Sequence, residues 1–273
     1  DKARQNKRYH LLRADLTDPW SVTAAVRQAR PQEVYNLADQ DNVGWSEALP
    51  RLAVDVTYGG VFNILQSIRD HAPNAKVFQP VSATMFAGSS PPQTEESPHF
   101  PQSPYAVAKC AAYHLCRHYR IFHGLHVSTG ILFNHDSERR GGDYLLQRLA
   151  RQAVEVARGR RAVVTVFRPG DHVDVGYAPE FVTAFHRVLL LDRPTDLVLG
   201  TGRPYSVGEL AGAALAAAGI WDTGRLTVAD ADRAAPALIA DPRKAREAID
   251  WDPREDALSV VRRLVRHYLG VIA

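Results

Sequence analysis

Long apolar segments are missing from this sequence of 273 residues. No apolar run approaches the roughly 18 residues that a membrane-spanning helix needs, and we expect no signal peptide because residues 1–10 lack an apolar core. The net charge is also small, since 33 Lys and Arg residues are balanced by 30 Asp and Glu residues. We therefore expect neither a membrane nor a nucleic acid as a partner.

Sulfur-containing residues are almost absent, because the chain has two cysteines and one methionine. Cys110 and Cys116 lie six residues apart on one predicted helix, so they do not face each other and no internal disulfide is expected. Reduced thiols are typical of a cytoplasmic protein, which is the localisation that we expect. His114 and His118 have no evident carboxylate partner or third ligand, so no metal site is expected.

What is present is an ordinary globular composition, with 45% hydrophobic and 23% charged residues. The length suits one α/β domain with a smaller appended lobe. Strand-like and helix-like segments alternate regularly. Predicted strands cover residues 9–15, 33–39, 76–82, 126–134, 162–167 and 196–202. Predicted helices cover 18–30, 54–71, 103–122, 143–158, 178–191 and 206–218, with more within 241–273.

Two local features qualify this assignment. Pro80 has no N–H to donate within a central strand, which predicts a bulge or an early strand end there. Gly59 and Gly60 interrupt the predicted helix 54–71, where the absence of a Cβ favours close packing against a neighbouring element.

The stretch from Lys76 to Lys109 carries the strongest chemical signal. Residues 76–88, KVFQPVSATMFAG, are typical of a buried strand whose carboxyl end opens into a site. Residues 103–109, SPYAVAK, then begin a helix with Ser103 as its N-cap. Tyr105 and Lys109 lie one turn apart on the same helix face, where an ammonium group favours the phenolate. This spacing predicts an acid/base pair that works near neutral pH.

Seven short sequence motifs follow one another along nearly the whole chain. They are RADLTD (13–18), PQEVYNLADQ (31–40), SPYAVAK (103–109), GILFNHDSERRG (130–141), VGYAPEFV (175–182), TGRPYSVGEL (201–210) and DPRKAREAIDW (241–251). Together they resemble the extended short-chain dehydrogenase/reductases that act on nucleotide sugars, and more narrowly the GDP-mannose 4,6-dehydratase family.

The resemblance implies an α/β fold, a Rossmann-like doubly wound parallel sheet with a smaller C-terminal substrate lobe. It implies that residues 1–134, with about 175–202, bind NADP. Residues 135–174 and 203–273 would then bind the substrate, a nucleoside-diphosphate sugar with GDP-mannose as the first candidate.

The glycine-rich loop of a dinucleotide-binding sheet, G-x-G-x-x-G, does not occur in this sequence. The chain opens instead at what resembles the third strand of the family, residues 9–15, so the first βαβ unit is lacking. In a sheet of order 3-2-1-4-5-6, that strand has no route to the fourth one. We therefore expect the chain to be a piece of a longer protein, and by itself to bind NADP weakly or not at all.

The resemblance also assigns site residues. Tyr105 would take a proton from the sugar while hydride passes to NADP, and Lys109 would support the phenolate and hold the nicotinamide ribose. The expected cofactor-binding residues are Asp15, Leu16, Leu37, Ala38, Gln40, Tyr105 and Lys109. The expected substrate-binding residues are Asn134, His135, Arg139, Arg140 and Arg148, of which the arginines suit a diphosphate through bidentate hydrogen bonds.

Catalytic positions depart from the family pattern at two places. The expected Ser or Thr falls on Ala83, and the expected Glu falls on Met85, whose thioether is no useful base. Ser82 and Thr84 flank Ala83 and are therefore the candidate catalytic hydroxyls. A one-residue bulge near Pro80 would bring Thr84 to the catalytic side of the strand.

Recognition of the diphosphate is also reduced. Val173 stands where the family has an arginine, and only Arg233 corresponds loosely to a later arginine of the family.

Three functions stay open at this point. The leading one is an NADP-dependent enzyme that resembles GDP-mannose 4,6-dehydratase. A 4-reductase or 4-epimerase would need Tyr105 and Lys109 but no base for the C5 proton. If the chain is a dehydratase, Glu95 and Glu96 are the carboxylates nearest in sequence that could serve as that base. The third is a pseudoenzyme that kept the fold and serves as a scaffold. The resemblance implies homodimers through the helices at 51–71 and 103–122, or tetramers.

Overall fold

The computed structural model describes residues 6–141, 143–229 and 237–270. The chain divides by its internal contacts into two units. Unit 1 comprises Asp1–Val81, Ser103–Thr129 and Asp192–Thr195, and unit 2 comprises Ser82–Gln102, Gly130–Leu191 and Asp196–Ala273. This division follows packing, so the expected division into cofactor-binding and substrate-binding parts stays a prediction.

Helices and strands alternate along the chain, as the sequence predicts. The helices are α1 (Pro19–Ala29), α2 (Val43–Ala48), α3 (Pro50–Ala53), α4 (Gly60–His71), α5 (Pro104–His123), α6 (Leu145–Ala157), α7 (Ala178–Leu190), α8 (Val207–Ala217), α9 (Arg243–Ile249) and α10 (Ala257–Leu269). The strands are β1 (Glu33–Tyr35), β2 (Lys76–Ser82), β3 (Val127–Leu132), β4 (Asn134–Asp136), β5 (Val164–Phe167), β6 (His172–Val173), β7 (Val175–Tyr177), β8 (Asp196–Leu199), β9 (Tyr205–Ser206) and β10 (Leu226–Ala229).

The main sheet has the strand order β1-β2-β3-β8. Strands β1 and β2 are parallel, with Val34 opposite Val77. Three two-stranded sheets accompany it: β4 with β7 and β5 with β10, both parallel, and β6 with β9, antiparallel. The expected α/β fold with a parallel sheet is confirmed.

The core of unit 1 lies between α4, β2 and α5. The buried residues Val61, Leu65 and Ile68 recur every three or four positions on α4, and they pack in one cluster with Val77 of β2 and Ala112 of α5. Burying each large aliphatic side chain stabilises the fold by about 1.5–3 kcal/mol. The packing explains why this helix forms although it begins at Gly60, directly after Gly59.

The close packing expected at the two glycines is confirmed at Gly60, where a Cβ would lie 2.9 Å from Cβ of Leu16. At Gly59 the nearest atom to such a Cβ is 3.9 Å away, so close packing does not explain that glycine. The helical segment is also longer than expected. It begins at Pro50 and contains a π-helical turn, Val54–Gly59, before α4.

The predicted strand 9–15 is wrong, since residues 9–15 form no strand. A strand needs a neighbour for its backbone N–H and C=O groups, and no strand of the described chain pairs with this segment. The predicted strand 33–39 is also shorter than expected and ends at Tyr35. Beyond it, the Asn36 side chain accepts a hydrogen bond from the N–H of Ala38 and donates one to Oε1 of Gln79. After the last ladder bond, from the N–H of Asn36 to the oxygen of Phe78, side-chain hydrogen bonds replace the ladder.

Strand β2 runs through Pro80 without an early end. The N–H of Lys76 and the C=O of Phe78 face the β1 side, because this N–H donates to the oxygen of Gln32 and this C=O accepts from the N–H of Asn36. By alternation Pro80 faces the same side, but the β1 pairing has already ended at Phe78. The missing N–H therefore costs no ladder hydrogen bond, which is why a proline is tolerated here.

The core of unit 2 is formed largely by α6, α8 and α10. Leu149 of α6, Leu210 of α8 and Leu264 of α10 belong to one buried cluster. Reciprocal capping boxes begin two of these helices, Ser206 with Glu209 at α8 and Asp256 with Ser259 at α10. Pairing of β4 with β7, Asn134 opposite Val175, fixes the strand that carries two predicted substrate residues.

No helix among residues 6–141, 143–229 and 237–270 is both long and apolar enough to cross a membrane.

Candidate functional site

Helix α5 presents Tyr105 and Lys109 as the sequence predicts. The Ser103 hydroxyl accepts a hydrogen bond from the N–H of Ala106 at 3.1 Å, and Pro104 occupies the first turn. Both Tyr105 and Lys109 are buried, and Nζ of Lys109 lies 5.7 Å from the centroid of the Tyr105 ring. The ammonium group is therefore close enough to favour a negative charge on the phenol oxygen.

Lys109 lies beside the carboxyl end of β2 and is held by two oxygen atoms. Its Nζ lies 2.5 Å from Oδ2 of Asp39 and donates to the backbone oxygen of Pro80 at 3.2 Å. Burial opposes the charge on Lys109 and is the largest single effect on its pKa. The phenol of Tyr105 and the carboxylate of Asp39 outweigh burial, so the pKa of Lys109 is raised above its usual value. Lys109 therefore stays an ammonium ion at neutral pH.

Asp39 is the residue of this site that sequence reasoning missed. Its Oδ1 accepts hydrogen bonds from Oγ1 of Thr57 at 2.5 Å and from the N–H of Gln40 at 2.8 Å. Thr57 belongs to the π-helical turn, an arrangement that is frequent at functional sites. A carboxylate in the segment after β1 was the available signal, because ligands bind at the carboxyl ends of parallel strands.

Three of the predicted cofactor residues line one cavity of unit 1, with a volume of about 680 Å³. They are Asp15, Leu16 and Ala38, and Arg13 and Asp39 line the same cavity. Hydrogen bonds from the N–H and hydroxyl of Thr17 hold the pKa of Asp15 below its usual range. Asp15 therefore remains a carboxylate acceptor at the cavity wall.

Two further predicted cofactor residues differ from these. Leu37 is 61% exposed and does not line the cavity, so its cofactor-binding role stays a prediction. Gln40 is half-buried, and its Nε2 donates to the backbone oxygen of Asn42. Its Oε1 is buried and accepts no hydrogen bond from the residues that the structure describes. An acceptor in this state is suited to a donor on a ligand.

The candidate hydroxyls of unit 2 are brought together by a 3₁₀ turn. Strand β2 ends at Ser82, and Ala83–Phe86 form the turn in place of the expected bulge. Oγ1 of Thr84 donates to Oγ of Ser82 at 3.0 Å, and both residues are half-buried. The turn ends the alternation of a strand, so Ser82 and Thr84 share one side although a single residue separates them.

Met85 is fully buried in the same turn. Of the two carboxylates that sequence proximity suggested as substitutes, Glu95 is engaged, since its Oε1 accepts the N–H of Val198 at 2.7 Å. Glu96 is exposed. Neither Met85, which stands at the position of the family base, nor Glu95 therefore offers an unengaged basic group within unit 2.

Two predicted substrate residues, His135 and Arg140, lie together in unit 2. The His135 ring stacks on Phe181 with centroids 4.7 Å apart. Nη1 of Arg140 donates to the backbone oxygen of His135 at 2.9 Å, and its guanidinium lies 3.3 Å from the centroid of the Tyr144 ring. Stacking on an aromatic face fixes the plane of a guanidinium while its edge stays able to donate.

The remaining substrate residues occupy different environments. Asn134 and Arg139 are exposed. Nη1 of Arg148 donates to the backbone oxygen of Asp143 at 3.2 Å, whereas its Nε is buried without a hydrogen-bond partner in the described chain. An unsatisfied donor on a cation suits an anionic ligand. Arg233 lies outside the described residues.

Comparison with known proteins gives a consistent result. The sequence profile of the family described as GDP-mannose 4,6 dehydratase matches residues 1–264. GDP-mannose 4,6 dehydratase 2 of Arabidopsis thaliana is 32% identical over 263 residues, which cover 92% of this chain and 69% of the relative. GDP-mannose 4,6-dehydratase of Vibrio cholerae is 29% identical over 300 residues, covering 97% of this chain and 80% of the relative.

Solved structures agree on the fold. RMD from Pseudomonas aeruginosa complexed with NADPH has a TM-score of 0.87 at 19% identity, covering 99% of this chain and 95% of that one. UDP-glucose 4-epimerase of Thermus thermophilus in complex with NAD has a TM-score of 0.84 at 25% identity, covering 98% and 87% of the two chains. The chain belongs to the GDP-mannose 4,6-dehydratase family of extended short-chain dehydrogenase/reductases and has their Rossmann fold.

Proposed function

We propose that this chain acts with NADP on a nucleoside-diphosphate sugar, with GDP-mannose as the first candidate substrate. The observation that carries the proposal is the buried pair of Tyr105 and Lys109 on one face of α5. A tyrosine beside a lysine that is charged at neutral pH is suited to exchange a proton with a sugar hydroxyl. The family to which the chain belongs supports the substrate class.

Residues of unit 1 fit a nicotinamide cofactor. The cavity of about 680 Å³ and the buried Oε1 of Gln40, which no described residue satisfies, support binding of a dinucleotide in unit 1. Asp15 would accept a hydrogen bond from the adenine, and Arg13 would attract the additional phosphate that distinguishes NADP from NAD. When bound, the nicotinamide supplies the acceptor for the hydride that leaves C4 of the sugar.

Residues of the chain would handle the proton and the diphosphate. Tyr105 as phenolate takes the proton of the C4 hydroxyl, and Lys109 stabilises that phenolate. Ser82 and Thr84 are the candidate hydroxyls for a hydrogen bond to the sugar. Arg139, Arg140 and Arg148 would bind the diphosphate, and Asn134 and His135 the sugar side of the nucleotide.

A second candidate function, reversible oxidation at C4 without loss of water, is favoured by Met85. Elimination of water across C5 and C6 needs a base for the C5 proton, and such help is typically worth about 10²–10⁴-fold. Met85 cannot accept that proton, and Glu95 already accepts the N–H of Val198. We therefore propose that C4 oxidation or epimerisation proceeds about 10²-fold faster than dehydration, or more.

The test is turnover of GDP-mannose with NADP, followed by mass spectrometry of the sugar nucleotide. We expect a 4-keto sugar or a C4 epimer, and the Tyr105→Phe variant as control should form neither. Rapid formation of a product that has lost water would overturn the preference for C4 chemistry. Absence of every product, with intact folding, would support the pseudoenzyme instead.

Assembly of the chain into homodimers is a further part of the proposal. The helices at 51–71 and 103–122 expose large apolar side chains, including Phe62, Val107 and Ile121. Exposed apolar residues along two helices favour a protein partner. Light scattering on the purified chain should give the mass of a dimer or tetramer, and a monomeric mass at all concentrations would contradict this part.

A further inference from the structure

The ammonium group of Lys109 has few donors left for a ligand. A lysine carries three N–H donors. In unit 1, one is directed to Oδ2 of Asp39 at 2.5 Å and a second to the backbone oxygen of Pro80 at 3.2 Å. Lys109 is only 4% exposed, so water has little access to it. One donor remains for the Tyr105 oxygen and any ligand together.

Asp39 is held in this position from its other side. Oδ1 receives the hydroxyl of Thr57 and the N–H of Gln40, so the carboxylate accepts two hydrogen bonds besides the contact with Lys109. Thr57 is itself buried in the π-helical turn. Asp39 also lines the cavity that contains Asp15 and Leu16. Its carboxylate thus lies at the wall of the proposed cofactor cavity, joined to the lysine that the cofactor needs.

We infer that Asp39 is an internal competitor of the nicotinamide ribose, because the one donor of Lys109 that Asp39 and Pro80 leave cannot serve the Tyr105 oxygen and the ribose hydroxyls at once. This inference rests on the proposed function, in which Lys109 binds the ribose. When the Tyr105 oxygen takes the remaining donor, binding of the ribose requires that the Lys109–Asp39 contact opens, and the free energy of opening is subtracted from the affinity. The contact is charge-assisted and buried, so its effect on the affinity is large.

The experiment compares NADP binding to the full chain and three variants by isothermal titration, with thermal unfolding as the test of folding. Asp39→Asn removes the charge that holds Lys109, and we expect binding at least about tenfold tighter, as for a 1.4 kcal/mol gain. Thr57→Val keeps the charge but removes one support of Asp39, and we expect a gain of roughly threefold from the loss of one hydrogen bond. Asp55→Asn is the matched control, because Asp55 pairs with Arg51 outside this cavity. It should bind NADP as the unmodified chain does.

A second ligand separates competition for Lys109 from general electrostatics. The adenosine bisphosphate half of NADP lacks the nicotinamide ribose, so Asp39→Asn should leave its affinity unchanged within about twofold, a difference below 0.5 kcal/mol. An equal gain for this half and for NADP would mean that Asp39 acts only by repelling phosphate, and the inference would be wrong. Faster amine labelling of Lys109 in Asp39→Asn, by mass spectrometry, is expected as an independent readout.

The outcomes distinguish the inference from the proposed function. Equal NADP affinity in the unmodified chain and Asp39→Asn would overturn the inference and leave the proposed function standing. No NADP binding by any variant would overturn both. If Asp39→Asn does not fold, Thr57→Val decides, since an unchanged affinity in that folded variant contradicts the inference.

Discussion

Replacing the fully buried Asp174 by asparagine should destabilise unit 2 by about 2–4 kcal/mol. Oδ1 of Asp174 accepts hydrogen bonds from the backbone N and from Oγ1 of Thr201, at 3.0 and 2.6 Å. Oδ2 accepts the backbone N–H groups of Gly202 and Ala240, at 2.9 and 3.0 Å. One carboxylate thus connects the residue before β7 to the segment after β8 and to the chain near 240.

The magnitude follows from the number of acceptors. Asparagine offers one oxygen and one NH₂ group where Asp174 offers two oxygens. With NH₂ at the place of Oδ2, the N–H groups of Gly202 and Ala240 both lose their acceptor. In the flipped orientation the Thr201 hydroxyl accepts from the amide, but the N–H of Thr201 loses its acceptor. At least one buried N–H is therefore unsatisfied, which costs about 1–3 kcal/mol, and the remaining bonds lose their ionic character.

Urea unfolding followed by circular dichroism measures the loss, with Thr201→Val as control. That variant removes one hydroxyl donor and keeps the carboxylate, so we expect a cost of about 0.5–1.5 kcal/mol. Hydrogen exchange by mass spectrometry should show faster exchange at residues 201, 202 and 240 in Asp174→Asn. The reasoning is refuted when Asp174→Asn costs no more than Thr201→Val, or when exchange at these residues does not change.

Three further predictions concern the proposed site and its surroundings. Tyr105→Phe should lower the rate of C4 oxidation by about 10²–10⁴-fold, and an unchanged rate in a turnover assay would exclude Tyr105 as the acid/base. Arg148→Met should weaken GDP binding by about 10–100-fold in a titration, because a charge-assisted hydrogen bond is lost, whereas Arg151→Met on the same helix should not. Asp136→Asn should stabilise the chain more at pH 7 than at pH 3.5. Burial raises the pKa of Asp136 above its usual value, although hydrogen bonds from Gln147 and the N–H of Ser137, and the charge of Arg140, act in the opposite direction. The ionised form of Asp136 is therefore the less stable one in the folded protein, and stability is lost as the pH rises through the folded-state pKa. A larger gain in urea unfolding at pH 3.5 would contradict this sign.

Much of the fold could be predicted because its signals are local. Asp18 begins α1 and Ser103 begins α5 through hydrogen bonds to N–H groups two or three residues ahead. The spacing of Tyr105 and Lys109 fixes their common face once the helix exists. The predicted strand 9–15 did not form, and the predicted strand 33–39 ended at Tyr35, for the converse reason. A strand is stable only with a neighbour, and the identity of that neighbour is not written in the segment itself.

The catalytic hydroxyls show a limit of counting residues. Alternation along a regular strand puts Ser82 and Thr84 on the face opposite Ala83, and a bulge was the expected remedy. The chain instead turns into 3₁₀ geometry at Ala83, which joins the two hydroxyls and buries Met85. Such a turn depends on what packs around it, here including the N–H of Phe100 on the backbone oxygen of Met85.

The sequence by itself determined the family, the alternation of helices and strands, and the pair of Tyr105 and Lys109, since each rests on neighbouring residues or on ordered phrases. Only the tertiary structure decided which group holds Lys109. Asp39, Thr57 and Lys109 are far apart in the chain, and the segment after β1, the π-helical turn and α5 bring them together. The physical reason is that a buried ammonium must find a counter-charge wherever the packing of unit 1 supplies one, and no local pattern specifies that partner.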